Sequence, residues 1–154
     1  MNALTQTAAA QPSLARSGND LERARQLLQQ TLLFVREQAQ PWAGSGLAKA
    51  SDDPYVISRF GDLQIRIEVA AALHERAEAL RNAAQDPAEV SVAQAEAAIA
   101  SAEALLAASN AEFELTGQRS PQLAALNDPL RWKYQLIGNY RLNGVLPPSL
   151  RSAV

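Results

Sequence analysis

The sequence predicts an all-α protein, a four-helix bundle, on three observations. Asp-Pro pairs recur at Asp53–Pro54, Asp86–Pro87 and Asp128–Pro129. Apolar residues repeat at three- and four-residue spacing between these pairs. The chain is rich in alanine, with 47% hydrophobic residues but only 5% aromatic ones. An Asp-Pro pair reads as a helix start, because the carboxylate caps the free N–H groups and proline loses nothing at the first helical position. Apolar residues at that spacing share one face of a helix. Alanine is the best helix former and packs closely, whereas sheets favour β-branched and aromatic residues.

Taken in order, residues 1–18 are small and polar, with one proline and one glycine, and are expected to form a flexible tail. Asn19 or Asp20 then caps a helix expected over 20–40, with Leu21, Ala24, Leu28, Thr31 and Val35 on its inner face. Pro41 ends it, and a Gly-containing loop runs to Asp53. A second helix is expected over 54–84, with Phe60, Leu63, Ile67, Ala70, His74 and Ala77 in register. A third covers 87–116. One of its stripes is Val92, Ala95, Ile99, Ala102, Leu106, Ser109 and Phe113. A second is Ala93, Ala97, Ala100, Ala104 and Ala111, so this helix is packed on several sides. Gly117 suits its C-cap. A fourth helix is expected over 128–143, with Leu130, Tyr134, Ile137 and Tyr140/Arg141 in register, closed by Gly144 and Pro147–Pro148. The domain reading is therefore a tail at 1–18, a bundle at 19–148 and a tail at 149–154.

Composition excludes several function classes. A formal net charge of −2 and a pI near 5.4 give no basic excess for nucleic acid or an anionic membrane. No apolar run reaches the roughly 20 residues of a membrane span, and Met1 to Ser17 lack an apolar signal-type core. Cysteine is absent, which removes thiol catalysis and thiolate metal sites and fits a cytoplasmic location. With His74 as the one histidine, a histidine-based metal cluster is impossible within one chain, and His74 itself reads as a core or interface residue. Carboxylates are plentiful, with Glu68, Glu75 and Glu78 on the second helix and Glu89, Glu96 and Glu103 on the third. Glu96 and Glu103 are seven apart on one face, and without a Glu-x-x-His partner they read as a solvated or salt-bridged face. No catalytic residue and no metal ligand is assigned.

Two clusters stand out. In Leu115-Thr-Gly-Gln-Arg-Ser120, Arg119 lies just past a helix end, where loop N–H groups and a guanidinium can hold a phosphate; alternatively it caps the last carbonyls of the third helix. The other cluster combines Arg131, Trp132, Lys133 and Tyr134, a patch suited to packing or to a subunit interface.

With Asp52-Asp-Pro-Tyr55, Ile57 and Arg59-Phe-Gly-Asp-Leu63, then Phe113 to Ser120, then Asp128 to Pro148, the chain resembles the C-terminal helical domain of flavin-dependent monooxygenases of the acyl-CoA dehydrogenase fold. The nearest subgroup is the sulfur-acquisition and dibenzothiophene type. The resemblance implies a bundle that borders a flavin (FMN or FAD) and forms the core of a dimer or tetramer. It implies that Gly117, Gln118, Arg119 and Ser120 reach a partner's flavin, with no cofactor held by this chain alone. Three departures bear on chemistry. Only Pro121 to Leu126 stands where the family carries a histidine- and arginine-rich stretch. Asn127 replaces a histidine before the Asp-Pro pair, and Ser149-Leu150 replaces Arg-His. The expectation is a bundle that is not catalytic alone. The alternatives are an accessory subunit that completes the flavin site of a flavin-bearing partner, or an oligomerisation bundle. No nucleic-acid or membrane partner is expected.

Overall fold

The computed structural model describes residues 13–121 and 129–145. Among them are four α-helices, α1 (Ser13–Glu37), α2 (Pro54–Asn82), α3 (Pro87–Thr116) and α4 (Arg131–Asn143), with a 3₁₀ turn at Ala50–Asp52 and no strand. The all-α bundle expected from the sequence is what the chain forms.

The Asp-Pro signals act as expected at two of the three positions. The Asp53 carboxylate accepts from the Tyr55 N–H at 2.8 Å, and the Asp86 carboxylate from the Ala88 N–H at 3.1 Å, each with proline in the first turn. Gly117 closes α3 and Gly144 closes α4 in the left-handed region, with φ of 72° and 66°. Their donors reach back to the Phe113 and Tyr140 carbonyls. Ala84, after α2, takes φ 48° without being glycine.

Two boundaries differ from the sequence reading. α1 begins at Ser13, so residues 13–18 belong to the helix and Asn19 and Asp20 are not its cap. Gly18, within the expected tail, lies in α1 beside the His74 ring of α2. Leu14 continues the apolar stripe by a turn and is buried with Ala77, Ala93 and Ala97. α4 begins at Arg131 after a turn at Leu130 that offers no side-chain cap. Asp128, residues 1–12 and the expected tail at 149–154 lie outside the described residues.

Helices α1, α2 and α3 run up, down and up. Ser17 of α1 meets His74 late in α2, and Tyr55 early in α2 meets Glu114 late in α3. α3 is the central element. Val92, Ala93, Ala97, Ala104, Leu105, Ala108 and Ala111 are all at most 2% exposed. Leu21, Ala24, Leu27, Ile67 and Ala70 pack with Ala104, Leu105 and Ala108 in the main core. By length and composition α3 is apolar enough to cross a membrane, but 56% of that window is buried inside the bundle. Leu106 and Phe113, assigned to its inner stripe, are 47% and 55% exposed, because the α1–α2 pair wraps the alanine side instead.

α4 attaches differently. None of its residues is buried. It lies antiparallel to α3 on the Glu89–Glu96–Glu103 row. Tyr134 donates to Glu103, Tyr140 donates to Glu89 at 3.0 Å, and Arg141 holds Glu89 at 3.2 Å and Glu96 at 3.8 Å. Arg76 of α2 binds the other Glu96 oxygen at 2.7 Å. The seven-residue glutamate row is thus a polar seam joining α4 to α3, in keeping with its reading as a salt-bridged face.

Candidate functional site

The loop after α3 folds back on the helix that precedes it. Glu112, one turn before the helix end, is 7% exposed. Its carboxylate accepts from the Ser120 N–H at 3.0 Å and from the Ser120 hydroxyl at 2.5 Å. Thr116 Oγ donates to the Glu112 carbonyl at 2.7 Å and accepts from the Gln118 N–H at 3.1 Å. With the Gly117 N–H on the Phe113 carbonyl, three of the four N–H groups of the 117–120 loop are satisfied internally. The N–H cradle expected for a phosphate is therefore not available.

What the loop does present is the Arg119 side chain. It donates to Ser109 Oγ at 3.2 Å and to Asn110 Oδ1 at 3.3 Å, and it lies 5.1 Å over the Phe113 ring. It does not cap the α3 carbonyls. Arg59, Arg66, Arg76 and Arg141 each pair with a carboxylate. Arg119 has no carboxylate partner among the described residues. Two neutral acceptors and a ring face orient it, and a guanidinium carries five donors, so N–H groups remain to grip an anion. Beside it, Tyr55 and Arg59 of α2 both engage Glu114, fixing this end of the bundle. The carboxylate partner pushes the Tyr55 hydroxyl above its ordinary pKa.

His74 lies at the other end. Ser17 Oγ lies 3.1 Å from the Leu14 carbonyl and 2.8 Å from His74 Nδ1, bridging the α1 backbone and the α2 ring. His74 Nε2 then faces Glu78 at 3.6 Å. The order serine, histidine, glutamate repeats the components of a hydrolytic triad, but Ser17 is 0% exposed and meets no substrate. His74 is a clasp between α1 and α2. No group of residues among those described can hold a metal ion.

The second cluster divides. Arg131 stacks 4.8 Å over Trp132, which is 61% exposed, while Tyr134 serves the α3 seam. Lys133 approaches Asp20 on α1, a carboxylate only 3% exposed whose pKa burial raises against the opposing pull of Arg16 and Lys133. Nothing in the sequence pattern marked Glu112, and Asp20 was marked only as a helix cap, because their roles come from contacts that local spacing does not reveal.

The comparisons follow this geometry. The chain is 27% identical to the dibenzothiophene monooxygenase of Mycolicibacterium goodii over 146 residues, covering 80% of this chain and 35% of that protein. It superposes on the complex of TdsC from Paenibacillus sp. A11-2 with FMN and indole at TM-score 0.76 and 22% identity, over 88% of this chain and 39% of that one. The methanesulfinate monooxygenase MsuC from Pseudomonas fluorescens gives 0.76 and 25% identity over 88% and 41%. The chain resembles the C-terminal helical domain of acyl-CoA dehydrogenase-fold flavin monooxygenases. No family model matches it. It spans about a third of the length of the curated flavin monooxygenase it matches. Of the positions read from the sequence as departures from the family, Pro121 is described, whereas Gln122 to Leu126, Asn127, Ser149 and Leu150 lie outside the described residues.

Proposed function

We propose that this bundle serves as the helical wall of a flavin-dependent monooxygenase site and is not itself the catalyst. One observation carries the reading: the bundle matches the helical part of flavin monooxygenases along most of its length, yet its one histidine is committed at the end opposite the 117–120 loop. General acid–base chemistry needs a titratable group within hydrogen-bond reach of the reacting atoms. The side chains that hold Arg119 are a hydroxyl, an amide and a ring, and the carboxylates at this end of the bundle are already engaged, Glu112 by Ser120 and Glu114 by Tyr55 and Arg59. What is left suits binding and orientation.

The accessory reading, in which the loop completes a flavin site on a separate flavin-bearing chain, draws specific support from Arg119. An oriented guanidinium without a carboxylate partner suits the phosphate of FMN or FAD. That phosphate would rest on the side chain, because the loop N–H groups of Gly117, Gln118 and Ser120 are engaged. Self-association, also implied by the resemblance, needs surfaces other than the alanine face of α3: Ala93, Ala97 and Ala104 are buried inside this bundle and Ala100 packs against its core. Exposed apolar residues that could serve such a contact include Ile65 and Val69 of α2, Leu106 and Phe113 of α3 and Trp132 and Leu142 of α4.

The test uses the purified chain with reduced FMN, oxygen and dibenzothiophene. No oxygenated product is expected, and product formation would overturn the non-catalytic reading. Co-expression with a flavin monooxygenase that lacks its own helical C-terminal domain should restore flavin retention. Arg119→Gln should weaken that retention by about tenfold, as loss of a charge-assisted phosphate contact does. Equal flavin retention with and without this chain sinks the accessory reading.

A further inference from the structure

A second, separate recess lies on the α1 side of α2. The last turns of α1, the 3₁₀ turn and the first turns of α2 enclose a cleft of about 250 Å³. Leu32, Val35, Val56, Ile57 and Phe60 form its walls, and Arg36 and Ser51 are its polar members. Neither Arg36 nor Ser51 makes a side-chain hydrogen bond or ion pair within the described residues. The Asp53 carboxylate accepts from the Tyr55 N–H as the α2 cap, and no carboxylate among the described residues forms an ion pair with Arg36. Val35 is 4% exposed whereas Ile57 is 57% exposed, so the recess has a packed floor and an open rim.

We infer that this cleft binds a small organic anion: a carboxylate on a single apolar body of about one ring, with the body against Phe60, Val56 and Leu32 and the charge on Arg36. Size sets the first limit, since sites for drug-sized ligands run from roughly 300 to 1,000 Å³ and this one is smaller. Composition sets the second, because such sites combine apolar walls with a few convergent polar groups. Charge sets the third. Arg36 supplies donors in a planar fork that matches a carboxylate, and Ser51 adds a hydroxyl donor. A neutral ligand of the same shape leaves that fork unused, and a cation meets like charge. The cleft shares no residue with the 117–120 loop, so the inference stands or falls independently of the flavin reading.

The experiment is methyl NMR on the whole chain, titrated with benzoate and, as a neutral probe of similar shape, with benzyl alcohol. Benzoate should shift the methyl signals of Leu32, Val35, Val56 and Ile57 saturably, and benzyl alcohol should do so more weakly. Arg36→Gln should weaken benzoate about threefold to fivefold, the scale of a solvent-accessible ion pair, and leave benzyl alcohol unchanged. Ile57→Trp, at an exposed position that preserves the fold by circular dichroism, should block both probes. The inference is overturned if benzoate produces no saturable shifts at these four residues. It is overturned equally if the two probes bind alike, or if Arg36→Gln leaves benzoate binding intact.

Discussion

Glu112 and Ser120 are joined twice, through the Ser120 N–H at 3.0 Å and its hydroxyl at 2.5 Å, across eight residues that include a helix end. The pair converts a surface loop into a fixed extension of α3. Because the carboxylate is buried, it is the anchor and the loop is the load. Glu112→Ala should leave two donors without their acceptor and cost about 1–3 kcal/mol, read as a lower urea midpoint. The more specific readout is hydrogen exchange. The Ser120 amide should exchange much faster in the variant while the amides of α1 keep their protection. Unchanged Ser120 exchange would show that the carboxylate does not hold the loop.

Ala84 closes α2 with φ 48°, a region that costs an L-residue roughly 1–2 kcal/mol and glycine almost nothing. The Ala83, Ala84 and Gln85 N–H groups satisfy the last α2 carbonyls in that geometry, so the turn itself is worth keeping. Ala84→Gly should therefore stabilise the protein by about 1 kcal/mol, a rise of roughly 2–4 °C in Tm. A fall in Tm on this substitution would mean that the gain in unfolded-chain entropy outweighs the relieved strain.

The α3–α4 seam should respond to pH at both ends. Hydrogen bonding from Tyr140, followed by Arg141, lowers the Glu89 pKa. A lowered folded-state pKa contributes stability above the ordinary carboxylate value, and that contribution is lost as pH falls through the folded one. Hydrogen bonding to Glu103 and Glu89 raises Tyr134 and Tyr140. Their contribution is full below the ordinary phenol value near 10 and is lost as pH rises through the raised ones. α4 should thus be docked between the carboxylate and phenol ranges and loosen outside them, followed by NMR of the Gly138 amide. Replacing both tyrosines with phenylalanine should flatten the alkaline limb and leave α1 unaffected. An alkaline limb of unchanged slope in that variant would remove the tyrosines from the account.

Much of the architecture was legible because its signals are local. Asp53–Pro54, Asp86–Pro87 and Gly117 each state their role through their own backbone requirements, and α2 and α3 begin and end within two residues of the positions they imply. The start of α1 was not legible, since the contact that holds its first turns, Ser17 against His74, joins residues 57 positions apart. The candidate site was half legible. Arg119 stood out by its place after a helix end. Its acceptors lie in the preceding helix, where Ser109 read only as a member of an apolar stripe and nothing in the spacing set apart Asn110 or the Glu112 anchor.

Alanine along α3 has a consequence for how this protein can drift under mutation. At most positions where α1 and α2 press on α3, Leu105 apart, the residue is alanine, already nearly the smallest a helix tolerates. Growth there overpacks the core at a cost of about 1–3 kcal/mol, and the one step down, to glycine, costs about 1 kcal/mol of helix propensity. Substitution is closed in both directions along the central helix. It stays open on the outer face of α4, where Leu142 is 84% exposed and a side chain at Gly138 would meet open space. Among descendants of this sequence, divergence should collect on α4 long before it reaches α3.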